Sequence, residues 1–213
     1  MEGGVGDFTR RLAEALCAQD HETHILAPAS DVSPEDRSGP IIHRRIQATG
    51  WPLIRTIDRW VSEVSPDAIN IQYQAAAYRM RGAVNLYPWV RRRRSMPVAV
   101  TYHDLLPPYL FPKAGPIRQW SVWKLARHAD GVITTNNVDR QALNAALGES
   151  APPIRTIPIG SNIDPTPPAG YTPAAWRRAY GIDAEDLLLG FFGFMNRSKG
   201  IETLISALTS LVD

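Results

Sequence analysis

The amino-acid sequence predicts an α/β protein built on a parallel sheet. Short apolar runs alternate with longer amphipathic segments along most of the chain. The longer segments repeat their apolar residues at helical rather than strand spacing. The 213 residues, 44% hydrophobic and 21% charged, suit a globular chain with a sizeable core and exclude a disordered or fibrous one.

Taken in order, the elements follow from local pattern. Gly3-Gly4-Val5-Gly6 opens a helix in which Phe8, Leu12 and Leu16 recur every fourth residue. Strands are expected at 23–27 and 41–46, parted by a Ser-, Asp- and Pro-rich surface excursion over 28–40. Ile54, Ile57, Val61 and Val64 follow the 3–4–3 rhythm of a buried helical stripe. Further strands are expected at 68–73, 98–102, 131–135 and 156–159, and Trp120, Trp123 and Trp176 in helical segments are expected to pack. Pro165, Pro167, Pro168 and Pro173 cannot continue a sheet and mark a hinge. A short helix over 172–180, a strand over 187–193 and a stripe of Ile201, Leu204, Ile205, Leu208 and Leu211 complete the chain.

The domain reading is therefore residues 1–163 as an N-terminal domain of parallel α/β type, 164–185 as a Pro-rich hinge with a short helix, and 186–213 as the start of a second domain. A glycine loop that opens a helix normally follows a strand, and one strand–helix unit cannot bury both sheet faces. The expectation is a fragment, in which the first domain lacks its first strand.

Composition bounds the chemistry. Lys+Arg 23 against Asp+Glu 21 gives +2, too balanced for a nucleic-acid binder. One cysteine, Cys17, excludes a disulfide framework and a clustered-cysteine metal site, and it reads as a small core residue. His21, His24, His43 and His128 lack ligand spacing, so no metal and no cofactor are expected. No Asp-x-Asp motif suggests magnesium. The longest strongly apolar stretch, 187–195, is far short of the ~20 residues that span a bilayer. The opening residues carry no basic-then-apolar leader, and the expectation is a cytoplasmic protein.

Three loops could carry chemistry. Arg197 and Lys199 sit where a helix begins near Gly200, at the positive pole of its backbone, with no acid between Leu187 and Ile201. Cations there suit a bound phosphate; a solvated turn is the other reading. Gly3, Gly4 and Gly6 could let a phosphate or sugar approach the backbone, or simply form a tight turn. Their spacing is not the dinucleotide fingerprint, which sets a nicotinamide-dependent dehydrogenase aside. His103-Asp104 directly follows an expected strand, at the carboxyl edge where open parallel sheets bind ligands. The imidazole could meet a sugar hydroxyl with Asp104 fixing its orientation, or the pair could be a structural loop cap. Arg91, Arg92, Arg93 and Arg94 form the one charge run. They read as the last turn of a solvated helix, with peripheral contact to anionic lipid at the inner membrane face, or to an anionic acceptor, as the alternative.

Together these segments resemble the retaining nucleotide-sugar glycosyltransferases of family 4, which have the GT-B architecture of two facing Rossmann-like domains. Residues 3–12, Gly-Gly-Val-Gly-Asp-Phe-Thr-Arg-Arg-Leu, resemble the first loop and helix. His21-Glu22-Thr23-His24-Ile25 resembles the entry to the second strand, with Asp20 where glycine is usual. Thr101-Tyr102-His103-Asp104 is similar to the active-site histidine loop, and Ile157-Pro158-Ile159-Gly160-Ser161-Asn162-Ile163 to the segment closing the first domain. Phe192-Gly193-Phe194 through Lys199-Gly200 resembles the first loop of the donor domain.

The resemblance implies transfer of a sugar from a nucleotide diphosphate sugar to an acceptor hydroxyl, the acceptor being a glycan, lipid or small molecule. By that likeness Lys199 touches the diphosphate, His103 the donor sugar, and the Gly3–Gly6 loop the diphosphate or acceptor. Many members carry arginine two residues before the position held here by Asn196, where this chain has Phe194; Arg197, next to Asn196, is the candidate substitute. The family's two glutamates, separated by seven intervening residues, would lie beyond Asp213, so the 213 residues alone are expected not to turn over. Two other readings are a non-catalytic module that binds nucleotide or anionic lipid, and a sugar-nucleotide epimerase or phosphorylase of the same fold. Nucleotide-sugar binding that depends on Lys199 favours the transferase; vesicle binding indifferent to Lys199 favours the module.

Overall fold

The computed structural model describes residues 3–29, 39–91, 96–105, 115–161, 166–191, 193 and 200–212. They belong to two units, Met1–Asn162 and Ile163–Asp213.

The first unit runs α1 (Gly4–Cys17), β1 (His24–Pro28), β2 (Ile41–Ile46), α2 (Pro52–Val64), β3 (Ile69–Tyr73), a 3-10 turn (Val84–Leu86), α3 (Tyr87–Arg91), β4 (Val98–Tyr102), α4 (Gly115–Arg127), β5 (Gly131–Thr134), α5 (Asn137–Leu147) and β6 (Ile154–Thr156). Every strand pair is parallel. The strands form two sheets, β1-β2 and β3-β4-β5-β6, so β1 and β3 each pair on one side. This is the parallel α/β architecture that the alternating pattern predicts, Rossmann-like as the resemblance implies.

The core follows from the apolar strands. β4 reads Val-Ala-Val-Thr-Tyr because it is sandwiched between helices, and Val98, Val100, Thr101 and Tyr102 are all buried. In register, Ile71 stands beside Val100 and Val100 beside Val132, a row of β-branched side chains across the sheet. Leu53, Ile54, Ile57, Trp60 and Val61 of α2 and Val122, Leu125 and Ala126 of α4 complete the buried cluster. Polar ties fix the layers. Tyr102 Oη donates to Val122 O at 2.9 Å, joining sheet to helix, and Val98 N donates to Asp130 Oδ2 at 2.8 Å, joining the starts of β4 and β5.

Helix ends are set locally. Pro52 supplies a helical φ at the first turn of α2 without forfeiting a needed N–H. Asn136 Oδ1 accepts from Asp139 N at 2.8 Å to start α5, which Gly148 closes in the left-handed region at φ 55.

β1 and β2 bring His24 and His43 together. His24 Nε2–H donates to Glu22 at 2.8 Å, so its Nδ1 accepts from His43 Nε2–H at 2.9 Å. Burial first, then the neighbouring His24 and Arg45, hold His43 below the usual histidine range, against the opposing pull of Glu63. The pair is a structural cross-strand bond, and among the described residues no three metal-type ligands converge.

Three expectations require correction. The last strand of the first unit comes earlier than 156–159. Its ladder ends where Ile157 N donates to Thr134 O at 2.9 Å, because Pro158 has no N–H to continue it, and Ile157 and Ile159 are exposed. Trp120 and Trp176 do not pack inside: they are 50% and 39% exposed, and only Trp123 of the three leans on the core. In the second unit the strand expected over 187–193 does not form among the described residues. Leu187, Leu188, Leu189 and Phe191 lie exposed, since a strand with no neighbour leaves its backbone groups to water.

That second unit otherwise consists of α6 (Pro173–Ala179) and α7 (Ile201–Val212). Thr172 Oγ1 accepts from Ala175 N at 3.2 Å to cap α6, and Gly181 turns the chain at φ 68. The stripe that predicted α7 forms a helix, but Leu204, Ile205, Leu208 and Leu211 are exposed. No helix among the described residues is long and apolar enough to cross a membrane.

Candidate functional site

Parallel register brings the carboxyl ends of β3 and β4 to one edge. Gln72 stands beside Thr101 and Tyr73 beside Tyr102. His103, two residues past Thr101, therefore shares a sheet face with Gln72. The backbone of His103 is held on both sides: its N–H donates to Tyr73 O at 3.0 Å, and its carbonyl accepts from Thr135 Oγ1 at 3.4 Å.

The side chain is oriented as well. Gln72 Oε1 lies 2.9 Å from His103 Nε2. A glutamine carbonyl only accepts, so Nε2 carries the proton and Nδ1 is left as an acceptor. The Phe8 ring meets the imidazole edge-on, with centroids 4.9 Å apart at 84°. Burial pushes the imidazole below the usual histidine range, and the Asp104 carboxylate pulls the other way. His103 is thus a half-buried, neutral imidazole at pH 7.

Asp104 does not perform the orientation expected of it. Its Oδ2 accepts from Gln74 Nε2 at 3.0 Å, and the neighbouring strand's Gln72 fixes His103 instead. A residue on an adjacent strand and the same face is better placed than the next residue in sequence, which an extended chain sends to the other face.

Phe8 also ties the glycine opening to this edge. Gly3 has φ 123, a conformation suited to glycine, and its carbonyl accepts from Asp7 N at 3.1 Å to start α1. A Cβ placed on Gly3 or Gly4 would meet nothing within 4 Å, so the backbone there borders open space. Asp7 in the first turn is engaged by Arg10 at 3.0 Å and Arg11 at 3.7 Å. The histidine loop and the glycine loop, separate in sequence, are joined through Phe8.

Arg197 and Lys199 lie outside the described residues, as do Arg92, Arg93 and Arg94. Arg91 is bound to α2, its Nε donating to Asp58 Oδ1 at 2.7 Å. Gln72 and Phe8 were not singled out by sequence pattern. Gln72's signal was its place at a strand's carboxyl end; Phe8 looked only like part of a helical stripe.

A separate cavity of about 30 Å³ beneath Tyr73, Asn85 and Ser121 has room for water and not for a sugar. Asn85 Nδ2 donates to Tyr73 Oη at 3.2 Å and to Ser121 Oγ at 2.9 Å, leaving its Oδ1 for such a water.

The family model described as Glycosyl transferase 4-like domain matches residues 3–160. The chain belongs to this family. The matched span of this glycosyltransferase 4-like domain takes in α1 through β6, with both the glycine opening and the histidine loop. A comparison with curated proteins found no match.

The Gln72 contact makes a prediction for the glycosyltransferase domain. Gln72→Leu leaves the fold intact but frees the imidazole. Nitrogen-15 spectra of His103 should change from a single Nε2–H form to a mixture of tautomers. An unchanged single tautomer would mean that another group positions His103.

Proposed function

We propose that the chain supplies the acceptor-side domain, residues 1–163, and the opening of the donor domain of a retaining glycosyltransferase. Its donor is a nucleotide diphosphate sugar and its acceptor a hydroxyl group. The observation that carries this reading is the neutral His103 at the carboxyl edge of β4, with Nε2–H engaged by Gln72 and Nδ1 left to accept from a sugar hydroxyl. The bare backbone of Gly3 and Gly4, tied to the same edge through Phe8, offers close approach to a diphosphate or acceptor.

In such a reaction the breaking glycosidic bond gives an oxocarbenium-like transition state, and negative charge grows on the leaving diphosphate. Arg197 and Lys199, placed by sequence just before α7, meet that charge where it develops. His103 keeps the sugar in place through its Nδ1. A protonated imidazole would lose that acceptor, which is why burial that keeps it neutral serves the site. Asp104, held by Gln74, stabilises the loop behind it.

Calorimetric titration with a panel of nucleotide diphosphate sugars tests the reading. Lys199→Ala should weaken binding roughly tenfold or more, the scale of one charge-assisted hydrogen bond. Binding that is indifferent to Lys199 would remove the diphosphate role. The purified 213 residues should transfer no sugar, because the only glutamates past Ile163 in them are Glu185 and Glu202, which are not a pair separated by seven residues.

A further inference from the structure

The exposed side of α3 and α4 is unlike the rest of the first unit. Ile117, Trp120 and Lys124 recur at spacings of three and four and form one stripe of α4, opposite the buried Val122, Leu125 and Ala126. Ile117 is 70% exposed and Trp120 50%. From α3, Trp89 and Val90 are exposed beside them. The Lys124 ammonium bridges the two helices, 5.8 Å from the Trp89 ring centre and 5.5 Å from that of Trp120. α4 is therefore apolar on both faces, and only the inner face is covered by the core.

Charge is distributed just as unevenly. Residues 68–129 hold ten lysines and arginines and a single acid, Asp104; the rest of the chain holds thirteen against twenty. The near-neutral total conceals a basic segment on an acidic remainder. Neither α3 nor α4 carries an Asp or Glu.

We propose that Trp89, Val90, Ile117, Trp120 and Lys124 form a docking face for an anionic lipid bilayer. Indoles favour the boundary between headgroups and acyl chains, where the ring is apolar and the N–H remains wet. A lysine between two indoles can lay its stem along them and reach a lipid phosphate. The absence of acid on both helices suits an anionic surface and opposes a basic one. Arg91, bound to Asp58, is not part of this face, and vesicle binding through it leaves the Lys199-dependent nucleotide-sugar titration to separate transferase from module.

The test is co-sedimentation of the 213-residue chain with vesicles of phosphatidylcholine alone, and of phosphatidylcholine and phosphatidylglycerol in equal parts. The chain should pellet with the mixed vesicles and not with the neutral ones, less as salt rises. Trp89→Ser with Trp120→Ser, and separately Lys124→Glu, should each weaken binding roughly tenfold or more while circular dichroism stays unchanged. If the double variant fails to fold, Lys124→Glu and Ile117→Ser decide alone. No binding to anionic vesicles, or binding unaltered by these substitutions, overturns the proposal. Self-association that Trp120→Ser abolishes, without vesicle binding, would assign the face to a second copy and overturn it equally.

Discussion

Leu125→Ala is expected to destabilise the first unit by about 2–5 kcal/mol, the range for a leucine emptied from a tight core. Leu125 is fully buried on the inner face of α4, in the cluster that includes Val100, Tyr102, Val132 and Leu143. Removing its branched end leaves a hole between helix and sheet. Tyr102 and Val122 are bonded across that same interface at 2.9 Å, so the layers cannot close freely to fill it. For a unit of this size, about 2–4 °C is lost per kcal/mol, so the melting temperature should fall by roughly 4–20 °C. Leu208→Ala is the matched control. It lies in an equally regular helical stripe, yet it is 42% exposed, and its loss should cost well under about 1 kcal/mol. Differential scanning calorimetry of both variants checks the contrast; equal losses would mean that α7 is covered in solution.

His103→Ala is expected to erase the preference of the chain for a nucleotide diphosphate sugar over the bare nucleotide diphosphate. The cations near Lys199 would contact the diphosphate in both ligands, whereas Nδ1 of His103 would contact only the sugar. Wild type should prefer the sugar-bearing ligand by roughly tenfold, one net hydrogen bond, and the variant should bind both alike. Acid should act in the same direction. Because burial lowers the folded pKa of His103, the imidazole is neutral at pH 7, and its acceptor is lost only as pH falls through that lowered value. The unfolded chain takes up the proton first, near the ordinary pKa of about 6.5, so the stability contributed by a neutral His103 is fully present above that value and declines below it. Calorimetry with both ligands at neutral and mildly acid pH would show the preference fading. A preference that survives His103→Ala would place the sugar elsewhere.

Much of this domain was legible from residues alone because its signals are local. Apolar runs such as Val98–Tyr102 and stripes such as Ile54, Ile57 and Val61 report their own burial, since a parallel strand covered on both faces and a helix covered on one have different periods. His103 was singled out by position, because the carboxyl end of such a strand is where a loop residue can meet a ligand. The exposed leucines of α7 and the outward Trp120 obey the same spacing without being buried. A stripe says that a side chain would favour burial, and says nothing of whether a neighbour is present to bury it.

Residue pattern alone was enough to read the α/β class and most element positions, and it singled out the loops proposed to meet a sugar nucleotide. These depend on spacing along the chain and on chemistry that each residue carries with it. Packing in three dimensions was needed to see that Gln72, and not Asp104, orients the imidazole, that Phe8 joins the glycine loop to it, and that Lys124 sits between two indoles from different helices. Those pairings span 31, 95 and 35 positions in the chain for Gln72–His103, Phe8–His103 and Trp89–Lys124. Strand register and helix packing set them, and both follow from the whole core rather than from any local stretch.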